Sequence, residues 1–350
     1  MRVLLTVPSL DVEKFKGIAR LSIELYKGLK KAGIDVEIIE IYKTKNNYLN
    51  FLSTLSSIPT QQLLAKVDII HGIVPEAAAF LGWIKKVKKV KTVASFNDFI
   101  ILKHAKKLNF RLRSILRYYS LFMWKNAAKS DVVCALSSQT AKEMEIFLKR
   151  KADYIINPGI DKRFKPMKVR KGKITLGFFA NFSYRKGLDK AVEVYKLVKK
   201  KVDVKLIIAG GELKTIYQNQ FDIKKLTEGL EDVKILGYVP ENKIVKLYNS
   251  FDFYLFPSLS EGFGIPILEA QACGIPTLVF SWAEIPAEVK AKTIQCRDTK
   301  EMAEKILYLI EHPKEYKKIS KEGIKYASRF TWDNFTNNYI NVYKGLLDKN

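Results

Sequence analysis

The run SLSEGFGIPILEAQACG, residues 259–275, sets two carboxylates, Glu261 and Glu269, around a glycine-rich turn. Gly262 and Gly264 let the backbone fold tightly, Pro266 suits the first turn of a helix, and Gly274 suits its end. A glycine-rich loop running into a helix N-terminus attracts anions, because the first amide N–H groups have no carbonyl partner and point outward. Two carboxylates beside such a loop would repel a phosphate unless they hold something else. Carboxylates accept strongly from hydroxyls. The pattern therefore asks for a ligand with hydroxyls on both sides of a diphosphate, one set for Glu269 and the other for Glu261. Either glutamate alone reads as a solvated or helix-starting residue. The pair carries weight because other loops join it.

Three polar or glycine-rich segments follow apolar runs in the same half of the chain: ANFSYRKG (180–187), AGGE (209–212) and GYVPE (237–241). If each apolar run is a strand of one parallel sheet, all four loops meet at a single edge. Arg185 and Lys186 then lie near the amides of Phe263, Gly264 and Ile265, which is a cation beside a helix N-terminus and fits a diphosphate.

The elements that must position these residues follow one rhythm. Short apolar runs at Arg2–Val7, Val36–Ile41, Val67–His71, Thr92–Phe96 and Asp131–Ala135 alternate with helical patterns at Ile18–Lys31, Glu76–Lys86, Leu108–Ala128 and Ser138–Lys149. The polar stretch NPGIDKRFKPMKVRKGK, 157–173, interrupts it. The alternation resumes with strands at Ile174–Phe179, Lys205–Ala209, Val233–Leu236, Phe253–Phe256 and Thr277–Phe280, and helices at Leu188–Lys200, Glu241–Ser250 and Pro266–Cys273. A last helix is expected over Trp332–Leu347. Such βαβ repetition predicts an α/β protein of two Rossmann-like, doubly wound domains facing each other across a cleft, with ligands at the carboxyl ends of the strands. The expected boundaries are 1–164, 165–329 and a final helix, 330–350, crossing back to the first domain. Arg20 and His71 fall near strand ends of the first domain, where either an acceptor contact or a packing role fits.

The segment EGFGIPILE resembles the Glu-x7-Glu motif of retaining glycosyltransferases with the GT-B fold, family 4, also called glycosyl transferases group 1. The likeness extends over nearly the whole chain: GIARLSIELYKGLKKAG (17–33), SSQTAKEM (137–144), NPGID (157–161), RKG (185–187), GYVPENKIVKLYNSFDFYLFPS (237–258), EAQACGIP (269–276) and FTWDNFTNNYINVYKGLL (330–347). The resemblance implies a nucleoside-diphosphate sugar as donor substrate, with no cofactor and no metal. It implies that Glu269 holds the ribose, Glu261 the sugar, and Lys186 the diphosphate. Backbone at Phe263, Gly264 and Ile265, with Arg185, Asn181, Gly210 and Gly211, completes the donor site, and Tyr238 and Val239 lie by the base. On the acceptor side it points to Gly17, Arg20, His71, Asn97 and Asp98. The sequence departs from the family at three positions: Asn181 stands where an Arg is usual, Asn97 where a His is usual, and Lys16 where the first Gly of a Gly-Gly loop is usual. A donor-binding protein without turnover and a GT-B sugar-nucleotide epimerase are the alternatives, distinguished by whether donor is transferred, merely bound, or converted without an acceptor.

The formal charge is +25, from 61 Lys and Arg against 36 Asp and Glu. Such a balance suits a polyanionic partner, and its plain counterpart is a lysine-rich composition with no partner behind it. From Lys85 to Lys129 there are thirteen Lys and Arg and one acidic residue, Asp98. Within that stretch Leu108, Leu112, Ile115, Leu116, Tyr119, Phe122 and Met123 are expected to form a core stripe. Phe110, Arg113, Arg117, Tyr118, Leu121 and Lys125 fall on other faces. The mixture of cations and apolar groups suits an anionic membrane surface, and with it a sugar or lipid-linked acceptor. Nucleic acid is set aside, since no helix-turn-helix, RNA-binding sheet motif or zinc finger is present. The opening MRVLLTVPSL lacks the long apolar core of a signal peptide and no 18-residue apolar run exists, so a cytoplasmic protein, peripheral on the inner membrane face, is expected. Cys134, Cys273 and Cys296 are scattered, as are His71, His104 and His312, and neither set has metal-ligand spacing.

Overall fold

The computed structural model describes residues 1–41, 60–99, 103, 110–169, 172–211 and 222–348, apart from the side chains of 12–16 and 110–116. The expected helix start at Leu108, the cations Lys106 and Lys107, and Glu212 lie outside the described residues. Two units are formed. One takes in Met1–Leu102, Asn109–Gly159 and Trp332–Asn350, the other Lys103–Leu108 and Ile160–Thr331.

Each unit is built on a six-stranded sheet whose pairings are all parallel. The first contains β1 (Arg2–Val7), β2 (Asp35–Glu40), β3 (Ile69–Gly72), β4 (Lys91–Phe96), β5 (Val132–Ala135) and β6 (Tyr154–Ile155), in the order β2-β1-β3-β4-β5-β6. The second contains β7 (Ile174–Phe179), β8 (Val204–Ala209), β9 (Val233–Gly237), β10 (Phe253–Leu255), β11 (Thr277–Phe280) and β12 (Ile294–Cys296), in the order β12-β11-β10-β7-β8-β9. Helices cover the sheet faces, so central strands are buried on both sides and read as unbroken apolar runs: Leu4, Leu5, Val7, Leu206 and Ile208 have no exposed surface. In each sheet the chain reverses its direction of winding beside its first strand. The crevice of the first lies between β1 and β3, that of the second between β7 and β10. Doubly wound sheets bind ligands at such a reversal.

The last helix, Trp332–Leu347, packs in the first unit against the helix Val12–Lys31. Gly28 allows this approach, since a Cβ there would collide with Thr336. Phe335, Tyr339 and Tyr343 are buried on its inner face.

Several elements differ from the sequence reading. The helix expected from Ile18 begins at Val12, so Gly17 sits within a helix and not in a loop. Lys16, a good helix former, lets the helix run on through this position. The helix expected over Glu76–Lys86 splits into Pro75–Ala78 and Leu81–Val87. In the helix Phe110–Ala127 the buried face passes through Ser120, Met123, Trp124 and Ala127. Phe122 is 53% exposed, so it leaves the expected core stripe and joins Tyr118 outside. It lies one position, about 100°, from Met123 around the helix. Two short edge strands, β6 and β12, and the helices Thr299–Glu311 and Pro313–Ala327 had no sequence assignment. Among the described residues no helix is long and apolar enough to cross a membrane.

Candidate active site

The four loops of the second unit meet at one edge, as their strand-end positions require, and backbone hydrogen bonds tie them together. Phe182 N donates to Gly211 O at 3.2 Å, Gly210 N to Gly237 O at 2.8 Å, and Leu259 N to Arg185 O at 2.9 Å. Gly187 sits where the loop after β7 passes closest to the loop after β10. Its φ is +69°, and a Cβ would run into the carbonyl oxygen of Pro257.

Across the β7–β10 crevice, Lys186 Nζ donates to Glu261 Oε1 at 2.6 Å. An Arg185 guanidinium nitrogen lies 3.4 Å from the same oxygen, and the Ser258 hydroxyl donates to it too. These side chains are nearly enclosed, with about a tenth of each exposed: 12% for Lys186, 11% for Arg185 and 9% for Glu261. Burial alone would raise the Glu261 carboxyl pKa. Lys186, then Arg185, outweigh that penalty and hold it below its ordinary range. Arg185 also donates to the Ser260 carbonyl, while its buried Nε has no hydrogen-bond partner. Three protein donors thus converge on one carboxylate oxygen. Lys186 Nζ also lies 5.5 Å from the centre of the Phe256 ring.

The loop then enters the helix Ile265–Ala272 through Gly264, whose φ of +107° suits glycine. Phe263 is buried, its ring 6.0 Å from that of Phe330, so its side chain is an anchor and its amide is what the helix start presents. Ile265 opens the helix, half-buried. Glu269 lies in the second turn, only 6% exposed, and accepts from Tyr248 Oη at 3.0 Å. Burial, then this carboxylate, push the Tyr248 phenol pKa well up, so it remains a donor. Tyr238 is 57% exposed and Val239 half-buried just beyond β9.

Asn181 uses its side chain inside its own loop: Oδ1 accepts from Ser183 Oγ at 2.6 Å and from Ser183 N at 3.4 Å. A residue that sequence reasoning missed is Glu284. Its backbone N donates to Leu259 O and its O accepts from Glu261 N, both at 2.9 Å, which clamps the carboxylate loop from outside. Its own carboxylate takes Lys103 Nζ at 2.7 Å.

In the first unit the named residues are dispersed. His71 is fully buried, with Nδ1 at 2.6 Å from Tyr343 Oη and Nε2 at 2.7 Å from Ser95 Oγ, which is in turn 2.8 Å from Tyr339 Oη. Burial lowers its pKa to about 3, so it is neutral. The packing role wins for this residue, because both ring nitrogens are used inside the unit. Asn97 is buried and donates to Ile73 O at 3.3 Å. Arg20 lies 6.0 Å from the Trp332 ring centre, beside the last helix. Asp98 is half-buried near Glu76, whose carboxylate accepts from Trp124 Nε1 at 2.9 Å. Burial chiefly, and Asp98 to a lesser degree, raise the Glu76 pKa. Gly17 is exposed, with open space where a side chain would stand.

Residues 160–326 match the family model described as Glycosyl transferases group 1. The O-antigen chain mannosyltransferase B of Escherichia coli is 32% identical over 116 residues, which are 33% of this chain and 30% of that protein. The O-antigen biosynthesis glycosyltransferase WclY of the same species is 24% identical over 328 residues, 89% of this chain and 88% of that one. The chain thus spans less than a third of the first relative's length and most of the second's. The structure of Anabaena Alr3699/HepE in complex with UDP and glucose superposes with a TM-score of 0.72 at 18% identity, covering 98% of this chain and 99% of that one. That likeness is one of fold, and with the two parallel sheets it identifies the GT-B architecture. By sequence the chain is similar to glycosyltransferases, in the second unit through the family model and more widely through WclY, and by fold it is similar to GT-B structures.

Proposed function

We propose that this chain moves a sugar from a nucleoside-diphosphate sugar to an acceptor hydroxyl, with retention of anomeric configuration. The observation that carries the reading is the charge cluster Lys186–Glu261–Arg185 at the winding reversal of the second sheet, next to the helix that bears Glu269. Glu269 takes the ribose hydroxyls. Glu261 Oε1 already receives Lys186, Arg185 and Ser258, so its Oε2 takes a sugar hydroxyl. The diphosphate lies against the amides of Phe263, Gly264 and Ile265, where Lys186 and Arg185 share their charge between it and Glu261, with the base near Tyr238 and Val239. The UDP and glucose in the HepE structure support a donor of this type, and the names of the two E. coli relatives support a saccharide acceptor.

No protein nucleophile is required. The acceptor oxygen bonds to the anomeric carbon on the face that the diphosphate leaves, the carbon–oxygen bond to phosphate breaks, and the acceptor proton passes to the departing phosphate oxygen. Charge accumulates on the diphosphate as this happens, and the fixed cations and amides stabilise it. The test is a thermal-shift screen of purified protein against UDP, GDP, ADP and their sugars, followed by a transfer assay with and without EDTA. A nucleotide at 100 times its Kd adds about 2.7 kcal/mol of stability. EDTA is expected to leave transfer unchanged. A protein that no nucleotide stabilises sinks the reading. Binding without turnover, or donor conversion without acceptor, replaces it by one of the alternatives.

The acceptor reading has its own support. Tyr118 and Phe122, one turn apart, are 76% and 53% exposed, and Trp83 on the neighbouring helix is 51% exposed. Gly82 beside it packs against Asn126 and Lys129 at the end of the same helix, and Arg117, Lys125 and Lys129 are exposed on that helix and just past it. An apolar face with a cationic rim fits an anionic membrane carrying a lipid-linked acceptor. The protein is expected to sediment with phosphatidylglycerol vesicles, to leave them as salt rises, and to lose them in the variant Arg117→Glu, Lys125→Glu. Equal binding to neutral vesicles counts against it.

A further inference from the structure

We infer that Tyr248 is a positioning residue for the donor: its phenol fixes the Glu269 carboxylate in the orientation that recognises the ribose diol. The inference rests on the reading of Glu269 given above. Tyr248 lies on the helix Ile244–Asn249 and is fully buried. Its ring is clamped by four others, Phe164, Phe179, Phe251 and Tyr254, with centroids at 5.9, 5.7, 6.2 and 5.5 Å, all nearly edge-on. A ring held on every side has no rotamer freedom left, so the direction of its O–H is set by packing. That O–H donates to Glu269 Oε2 at 3.0 Å.

Tyr254, also in the ring cluster, turns its own hydroxyl to the Phe179 carbonyl at 2.9 Å. Tyr248 is therefore the member of the cluster whose hydroxyl is spent on the carboxylate. A carboxylate that is 94% buried has to be oriented before the ligand arrives, because a mobile one would lose part of its hydrogen-bond energy on being ordered. Phe164 belongs to the stretch just after the chain enters the second unit, so that segment also helps set the carboxylate's direction.

The readout is ribose discrimination, which a merely structural tyrosine would not move. Affinities are measured for the nucleoside diphosphate that binds best among UDP, GDP and ADP, and for its 2′,3′-dideoxy counterpart. A charge-assisted hydrogen bond to the diol corresponds to roughly 10- to 100-fold preference for the ribonucleotide in the wild type. Glu269→Gln is expected to lose most of that preference. Tyr248→Phe, which keeps the ring and removes the hydroxyl, is expected to fall to within about threefold of Glu269→Gln, with an unchanged fold by circular dichroism. A folded Tyr248→Phe protein with the wild-type preference overturns the inference.

Should the single variant not fold, Tyr248→Phe is introduced into Glu269→Gln, where no buried charge is left unpaired. The double variant should bind both nucleotides as Glu269→Gln does, within about threefold, as coupled partners require. A larger change shows that the phenol acts independently of Glu269 and overturns the inference. A wild type with no preference at all removes the ribose reading of Glu269, and this inference with it. That failure is read in the wild type alone and is distinct from the others.

Discussion

At the carboxyl edge of the second sheet, Lys186, Arg185 and Glu261 are gathered from the loops after β7 and β10, charged and a tenth exposed. In the first sheet, the notable polar cluster of the described residues is His71, Ser95, Tyr339 and Tyr343, neutral and closed on itself. Both sheets wind the same way and reverse beside their first strand. The difference lies in where the polar groups sit along the strands. His71 is inside β3 and Ser95 inside β4, so they face packed elements. Lys186 and Glu261 lie beyond their strands, where the backbone turns and a ligand can reach. A shared fold thus supplies two crevices, and charge placed past the strand ends is what suits the second of them to the anionic ligand proposed above.

The sharpest way to break the comparison is Lys186→Ala. If the second crevice works on the diphosphate, single-turnover transfer falls at least about 100-fold, the typical cost of one transition-state donor. A nearly silent variant would put the diphosphate elsewhere. Gly187→Ala probes the same crevice through its backbone. Its left-handed φ and the Pro257 carbonyl forbid a Cβ, so the two loops must separate. A loss of about 1–3 kcal/mol in stability is expected, with nucleotide affinity falling alongside it. Unchanged affinity in isothermal titration would show that loop spacing is irrelevant.

His71→Gln tests the opposite crevice. It should cost about 1–2 kcal/mol in denaturant unfolding and leave nucleotide affinity untouched. The pH dependence gives the sign. The folded pKa of about 3 lies below the unfolded value of 6.5, so the unfolded chain binds the extra proton between them. The contribution is complete above pH 6.5 and is lost as pH falls toward 3, with a slope up to ~1.4 kcal/mol per pH unit. His71→Gln should flatten that slope. The smallest effect is expected from Asn181→Arg. It adds a cation near the proposed diphosphate position and removes the turn that Asn181 makes with Ser183. Product nucleotide should bind a few-fold tighter, with a loss of about 1 kcal/mol in thermal stability. Weaker product binding would show that the turn matters more than the charge.

The alternation of strands and helices was legible because buried parallel strands leave unbroken Val, Ile and Leu runs. The meeting of the four loops followed from that alternation, and the Glu261–Glu269 spacing marked where to look. The fate of His71 was not legible. Its partner Tyr343 is 272 residues away and Ser95 is paired with Tyr339 at a separation of 244, and nothing local separates a buried histidine from a site histidine. Gly17 misled in the other direction, since glycine marks a loop only when its neighbours also refuse the helix. The two unassigned helices did carry a signal: Asp298 caps the first by accepting from Glu301 N at 2.9 Å, and Pro313 opens the second.

The main stretch of the second unit runs from Ile160 to Thr331, and these two residues form a parallel bridge, with Ile160 N donating to Phe330 O at 3.0 Å. The two ends of that stretch are therefore side by side, and the stretch closes on itself as a loop of chain. Ends that already touch relieve the rest of the stretch of most of its loop-closure entropy, so it can gather its sheet as one piece once that bridge is made.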